Sequence, residues 1–202
     1  RVRKEYQWDA GTSGWVLTNE VRYVYDGMLV LQERDPNNQP QVTYTRGTDL
    51  SGRLQQAGGI GGLLARTDHS PLTPQLSTAL YHADGNGNVT ALVSTNGYLV
   101  AKYRYDPYGN TIAAAGPLAQ ANHYRFSSKE WHPNAGLYYY GYRFYDPNLQ
   151  RWLNTDPIGE FGGTNLFAYV RNNPVSRIDP MGLAECGDWG GDWWPNPNGQ
   201  PY

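Results

Sequence analysis

A short pattern recurs along the chain and constrains its fold more than any other feature. Two tyrosines with one residue between them are followed by aspartate and then by glycine or proline. The pattern occurs at Tyr23–Gly27 and Tyr103–Pro107, shortened at Tyr145–Pro147, and more loosely over Tyr81–Val89. Alternation with a period of two indicates a strand with one buried face, and Asp followed by Gly or Pro indicates a turn. Repetition at intervals of tens of residues predicts stacked β-hairpins that cover one another's apolar faces.

The segment Asn88–Tyr105 predicts one hairpin in detail. Its Asn96-Gly97 pair suits a two-residue turn in which both central residues have positive φ. With that turn, Leu92 lies opposite Ala101 on the apolar face.

Further elements follow from the same patterns. Val21–Glu33 predicts a hairpin with Asp26-Gly27 as its turn, and Leu137–Asp146 predicts a single strand. Thr164–Val170 has apolar residues at helical spacing and predicts one short helix.

Length and charge exclude several classes of protein. The 202 residues are enough to bury a hydrophobic core. A net charge of −2 gives no overall positive potential that would attract nucleic acid. No run of about 18 apolar residues exists, so no membrane span is expected. The chain begins with Arg1 rather than Met, and we expect it to be a piece of a longer protein. Its one cysteine, Cys186, excludes an internal disulfide.

We also expect no cofactor and no metal. The glycine-rich stretch 58–62 lacks the Lys-Ser/Thr that follows in a phosphate-binding loop, and a turn closing a wide hairpin fits it better. The four histidines show no ligand spacing. They are His69, His82, His123 and His132.

Two matched acidic turns stand near the C-terminus, at Asp156–Gly159 and Asp179–Gly182. Asp-Pro-x-Gly is ordinary turn chemistry. If the two carboxylates met, however, they would share one proton, so that one acts as base and the other as acid in peptide hydrolysis. Spacing alone leaves both readings open.

Three longer motifs make a family resemblance specific: GNGNVTALV, LYYYGYRFYDPNLQRWLNTDPIG and NNPVSRIDPMGL. They resemble the Rhs (rearrangement hotspot) and YD-repeat family, and the terminal part resembles its Rhs-repeat-associated core domain. The resemblance is strong over Tyr81–Leu183 and looser over Val21–Ala65. It implies a β-strip that spirals into a hollow shell around a C-terminal segment, often a toxin. It also implies a division into a hairpin strip (1–80), a core domain (81–183) and a short tail (184–202).

The resemblance further implies self-cleavage. Several family members cut their own chain after Asp-Pro-x-Gly-Leu by an aspartyl-protease-like mechanism, which places the cut between Leu183 and Ala184. The catalytic pair would be Asp179 and Asp156, and the family's arginine corresponds to Arg143.

These inferences define the expected fold and partners. We expect a mainly β protein: an open, curved strip of antiparallel hairpins with one short helix near the C-terminal region. So short a strip should leave an exposed edge near residues 1–20, open to further YD repeats or another copy. The other expected partner is the chain's own C-terminal segment. The resemblance implies a bacterial protein that is secreted or on the cell surface.

Two other functions compete with a self-cleaving shell core. The chain could be a non-catalytic β-repeat module that self-associates, or binds a protein or glycan through its edge or its Tyr and Trp rows. An effector enzyme is disfavoured, because nothing after Leu183 can hold an active site. The tail 184–202 is either a disordered end or a plug in which Trp189, Trp193 and Trp194 pack into the sheet interior, and we favour the plug. An interaction module needs these tryptophans or the Tyr rows to be accessible.

Overall fold

A computed structural model describes residues 1–70 and 76–187. Over these residues the protein is mainly β, as expected, and its strands form three antiparallel sheets. The first sheet contains nine strands: β1 (Val2–Asp9), β2 (Gly14–Asp26), β3 (Leu29–Arg34), β4 (Pro40–Arg46), β5 (Leu63–Asp68), β6 (Thr78–Ala83), β7 (Val89–Ser94), β8 (Leu99–Tyr105) and β9 (Thr111–Ala115). The second contains β10 (Glu130–His132), β11 (Leu137–Tyr139), β12 (Phe144–Asp146) and β13 (Arg151–Trp152). The third contains β14 (Arg177–Ile178) and β15 (Cys186–Gly187).

The nine-stranded sheet is a simple meander in which each strand pairs with the next. Leu92 lies opposite Ala101, as predicted for the β7–β8 hairpin. The predicted two-residue turn was wrong: Gly97 has a φ of +82° but Asn96 does not have positive φ, the Ser94 amide donates to the Tyr98 carbonyl, and Val93 pairs with Leu99. Every pair except β5–β6 contains a register shift, and such bulges bend and twist a strip. Strand β1 lies at one edge, as predicted.

Tyrosines of alternate strands share one face of this sheet and build its core. Their rings pack among aliphatic side chains, while each hydroxyl finds a partner at 2.7–2.9 Å, which explains the preference for Tyr over Phe. They are Tyr23 of β2, Tyr44 of β4, Tyr81 of β6 and Tyr103 of β8.

The aspartate of the repeat closes the turn that follows its strand. Asp106 Oδ1 accepts hydrogen bonds from the amides of Tyr108 and Asn110, both at 2.9 Å. Asp84 Oδ1 accepts in the same way from Asn86 and Asn88. Each turn is therefore specified locally by its own aspartate.

Two predictions about hairpins were wrong in detail. Leu137–Asp146 forms two strands, β11 and β12, because Gly141 takes a φ of +102° and the Tyr140 amide donates to the Arg143 carbonyl at 3.0 Å. The chain therefore reverses inside the segment. The β2–β3 turn consists of residues 27 and 28, because Asp26 still pairs with Leu29.

The short helix predicted over Thr164–Val170 is absent from that segment, which forms turns and one bridge. Its carbonyls are used elsewhere: the Leu166 carbonyl accepts from the Asp156 amide and the Phe167 carbonyl from the Trp152 amide. An α-helix over Thr164–Val170 would need the Leu166 carbonyl for the Val170 amide. The helical content near this region consists of short 3₁₀ turns at Phe126–Ser128, Gly159–Gly162 and Val170–Asn172.

The expected domain division stays a prediction. Its first boundary falls within β6, so the nine-stranded sheet continues across residue 80. Trp189, Trp193 and Trp194 lie outside the described residues. In the part of the chain that the structure describes, no helix is long and apolar enough to span a membrane.

Candidate functional site

Arg143 joins the two aspartates singled out in the sequence. Its Nη2 lies 2.8 Å from Asp156 Oδ2 and 3.3 Å from Asp179 Oδ2. Its Nε donates to the Gly182 carbonyl at 2.6 Å, and its Nη1 donates to the Leu166 carbonyl at 3.2 Å. The three predicted site residues therefore meet, although 23 positions separate the aspartates.

All three charged side chains of the site are nearly excluded from solvent. Arg143 and Asp179 are each 3% exposed and Asp156 is 8% exposed. The Arg143 guanidinium lies 4.3 Å from the ring centroid of Trp152, which is itself completely buried. Stacking of the planar guanidinium on the Trp152 ring fixes its orientation toward the two carboxylates.

Asp179 is a turn aspartate like those of the repeats, but it is buried. Its Oδ1 accepts hydrogen bonds from the amides of Met181 at 3.3 Å, Gly182 at 2.8 Å and Leu183 at 3.0 Å. The residue expected before the cut is therefore bound through its own amide to a catalytic candidate.

The other side of Leu183 approaches Asp156. A side-chain carbon built on Gly162 would lie 2.4 Å from Asp156 Oδ2 and 2.6 Å from the Leu183 carbonyl oxygen. Both oxygens therefore converge on the space that Gly162 leaves empty. Leu183 therefore approaches both aspartates: its amide donates to Asp179, and its carbonyl oxygen is at most 5.0 Å from Asp156 Oδ2.

Burial sets the protonation of this site. It raises the pKa of Asp179 to about 6, against the lowering effects of the amide hydrogen bonds and Arg143. Asp179 is therefore suited to hold a proton at weakly acidic pH.

The segment after the expected cut is held by the same region. Ile178 of β14 pairs with Cys186 of β15, two residues beyond Ala184. Glu185 forms ion pairs with Arg171 and Arg177. The peptide bond between Leu183 and Ala184 is thus fixed from both sides.

Sequence reasoning missed two residues of this site. Gly162 makes room for the Leu183 carbonyl, and Lys129 donates to the Pro180 carbonyl next to Asp179. Gly162 belongs to a Gly-Gly pair and Lys129 to a polar stretch, and neither pattern marks a site by itself.

We predict that Gly162→Ala slows any cleavage after Leu183 by roughly 100-fold, because its methyl group would displace the carbonyl or Asp156. The backbone at Gly162 does not have positive φ, so alanine adds no conformational strain there. Gly14→Ala is the matched control, since its methyl group would make only contacts of 3.9 Å. Denaturing mass spectrometry during refolding measures both rates; equal rates would contradict the crowding argument.

The glycine-rich stretch 58–62 serves the fold. The amides of Ala57 and Gly59 donate to Asp49 Oδ2, and the Gly61 amide donates to Ser128 Oγ. These donors are therefore occupied within the protein. Over residues 1–70 and 76–187, no three His, Cys, Asp or Glu side chains are grouped so that they could hold a metal ion.

Comparisons with curated proteins identify relatives of much of this chain, although no family model matches it. The tRNA3(Ser)-specific nuclease WapA of Bacillus spizizenii is 33% identical over 171 residues, 81% of this chain and 7% of WapA. Toxin subunit YenC1 of Yersinia entomophaga is 45% identical over 95 residues, 46% of this chain and 10% of YenC1. YibJ of Escherichia coli is 38% identical over 113 residues, 56% of this chain and 48% of YibJ. The chain thus spans less than half the length of each of these relatives.

Solved structures show the same fold within toxin complexes. A crystal structure of TcdB2-TccC3 superposes with a TM-score of 0.62 at 27% identity, covering 90% of this chain and 8% of that one. The Tc holotoxin pore of Photorhabdus luminescens superposes with a TM-score of 0.64 at 26% identity, covering 95% of this chain and 8% of that one. Relatives and structural neighbours therefore relate this chain to a region of larger bacterial proteins, among them toxin subunits and a tRNA nuclease, consistent with an Rhs-type family.

Proposed function

We propose that this chain is the C-terminal core of an Rhs-type shell protein and that it cuts its own backbone between Leu183 and Ala184. The observation that carries the proposal is the position of Leu183, with its amide on Asp179 and its carbonyl beside Asp156. Arg143 forms ion pairs with both carboxylates and so fixes their orientation toward Leu183.

The chemistry is a single hydrolysis. One carboxylate of the pair takes a proton from a water molecule, and the oxygen of that water attacks the Leu183 carbonyl carbon. The other carboxyl group gives its proton to the Leu183 carbonyl oxygen. The tetrahedral intermediate then collapses, the carbon–nitrogen bond breaks, and the nitrogen of Ala184 takes up a proton. The products are a carboxyl group on Leu183 and an amino group on Ala184.

The shell role rests on the relatives. The name of YenC1 describes it as a toxin subunit, and the Tc structure is of a holotoxin pore. We therefore infer that this chain has protein partners within a toxin assembly. We also infer that it acts outside the cell that produces it. The enclosed segment would be this chain's own continuation after Leu183.

A non-catalytic interaction module is the second candidate, and one surface favours it. The β1–β2 hairpin lies at the edge of the sheet, and Trp8 and Trp15 are 51% and 69% exposed there. Exposed aromatic side chains at an unpaired edge suit a protein or glycan partner. This candidate requires a chain that stays uncut under all conditions.

The pH dependence of cleavage tests the proposal. Uncut chain recovered in denaturant is diluted into buffers from about pH 4.5 to 8, and fragments are measured by denaturing mass spectrometry. Because burial raises the pKa of Asp179 to about 6, Asp179 loses its proton as the pH rises through that value. We expect the rate to fall about tenfold per pH unit above it. A rate that rises with pH, or fragments joined anywhere but at Leu183–Ala184, would rule out this mechanism.

A further inference from the structure

Lys129 is a buried lysine with no place in the chemistry described so far. It follows two serines with positive φ, Ser127 at +50° and Ser128 at +51°, and is 6% exposed. Its Nζ donates to the carbonyl of Pro180, the residue after Asp179, and to the carbonyl of Gly58 at 2.9 Å. Its ammonium also lies 5.2 Å from the centroid of the Tyr140 ring.

These contacts join three distant parts of the chain. Gly58 belongs to the long connection between β4 and β5, Lys129 precedes β10, and Pro180 lies in the loop that carries Asp179. A side-chain carbon on Gly58 would lie 2.0 Å from the Pro180 carbonyl oxygen and 2.9 Å from Lys129 Nζ. The lysine can bind both carbonyls because position 58 has no side chain.

The charges around Lys129 explain why so buried a cation persists. Burial lowers its pKa to about 7, and the negative charges of Asp179 and Asp49 oppose this, whereas the positive charge of Arg46 adds to it. A buried ammonium group without its two carbonyl partners would cost folding free energy, because its charge would have no hydrogen-bond acceptor. The ammonium is therefore part of the electrostatic environment of Asp179 as well as a mechanical link.

We propose that Lys129 is a positioning residue that holds the Asp179 loop, through Pro180, against the β4–β5 connection of the nine-stranded sheet. The cleavage geometry then depends on docking of that connection, so that the chain is cut only after the sheet has folded onto the second sheet. The cleavage test of this inference rests on the proposed self-cleavage. The claim that Lys129 holds the Asp179 loop in place does not depend on it.

Two matched pairs of variants test the link. Lys129→Met removes the donors but keeps an apolar side chain of similar length, and Lys102→Met on an exposed position of β8 is its control. Gly58→Ala places a methyl group against the Pro180 carbonyl. Gly52→Ala is its control, because Gly52 has the same kind of positive φ, +75°, with open space around it.

Two readouts separate this inference from the proposed function. The first is the rate of cleavage: we expect Lys129→Met and Gly58→Ala to be slower by roughly tenfold or more, with both controls at the wild-type rate. In Lys129→Met the fall in cleavage rate should also begin at a higher pH, because losing a nearby cation favours the protonated form of Asp179 and so raises its pKa. The second is amide hydrogen exchange at Gly182 and Leu183, which donate to Asp179, measured in an uncut Asp156→Asn background.

We expect those two amides to exchange about tenfold faster in both test variants, because the loop loses its anchor. If the wild-type chain is never cut, the exchange measurement still decides the role of Lys129 and only the proposed function fails. If Lys129→Met does not fold, Gly58→Ala decides. Wild-type exchange and wild-type cleavage in a folded variant would overturn the inference.

Discussion

The variant Asp156→Asn is expected to remain a single uncut chain under conditions in which the wild type is cleaved. Asparagine keeps the shape of the side chain and can still accept the Ile158 amide that Asp156 binds at 3.0 Å. It can neither take a proton from water nor share one with Asp179. Loss of a general acid or base costs about 10²–10⁴ in rate, so no product should appear on the time scale of wild-type cleavage.

The control for this variant comes from the repeats. Asp106 also opens an Asp-Pro turn and binds two amides, but it lies outside the site. Asp106→Asn should therefore be cleaved at the wild-type rate, within about twofold. Refolding time courses read by denaturing mass spectrometry compare the two. Cleavage of Asp156→Asn at the wild-type rate would remove Asp156 from the mechanism.

Arg143→Met is expected to lose both cleavage and stability. Methionine still covers Trp152, but Asp156 and Asp179 lose their shared cation, and an unpaired buried charge costs roughly 3–5 kcal/mol of unfolding free energy. Urea unfolding at pH 7 measures this loss. Arg143→Lys should rescue little, since one ammonium cannot reach the four acceptors that the guanidinium binds.

The pH dependence of that loss gives a further check on its cause. Burial favours the protonated form of Asp179 and Arg143 favours its ionised form. Without Arg143 the folded-state pKa of Asp179 rises further above its wild-type folded value of about 6, so the destabilisation grows as the pH rises above about 6 and is smallest below it, where Asp179 is protonated in both folded proteins. Arg104→Met, at an exposed position of β8, should change stability by less than about 0.5 kcal/mol at any pH. A loss for Arg143→Met that is independent of pH would point to lost packing instead.

Features that depend on neighbouring residues were predictable from the sequence. The Asn96-Gly97 pair correctly marked the reversal between β7 and β8, and Leu92 lies opposite Ala101 as predicted. The turn itself differs from the prediction, because Gly97 has positive φ but Asn96 does not, and a register shift between Leu92 and Val93 restores the pairing. The tyrosine alternation correctly predicted a buried face, and Asp106 closes its turn through amides two and four residues away. Such interactions are local, so a pattern of a few residues determines them.

Features set by distant contacts were not predictable from pattern. The apolar spacing of Thr164–Val170 suggested a helix, but the Asp156 amide binds the Leu166 carbonyl, which a helix would need for the Val170 amide. Similarly, Asp156 and Asp179 are turn aspartates like Asp106 by sequence, and differ from it only in burial and in sharing Arg143. The motif resemblance singled out these residues, while the convergence of Gly162 on Leu183 required coordinates.

The most direct test of the central claim is the intact mass of the purified wild-type chain under denaturing conditions, beside Asp156→Asn. We predict two wild-type fragments, residues 1–183 and 184–202, and one uncut chain for the variant. A single uncut wild-type mass after refolding at pH 5 would contradict self-cleavage, and would leave a β-hairpin module whose buried aspartates and arginine serve the fold alone.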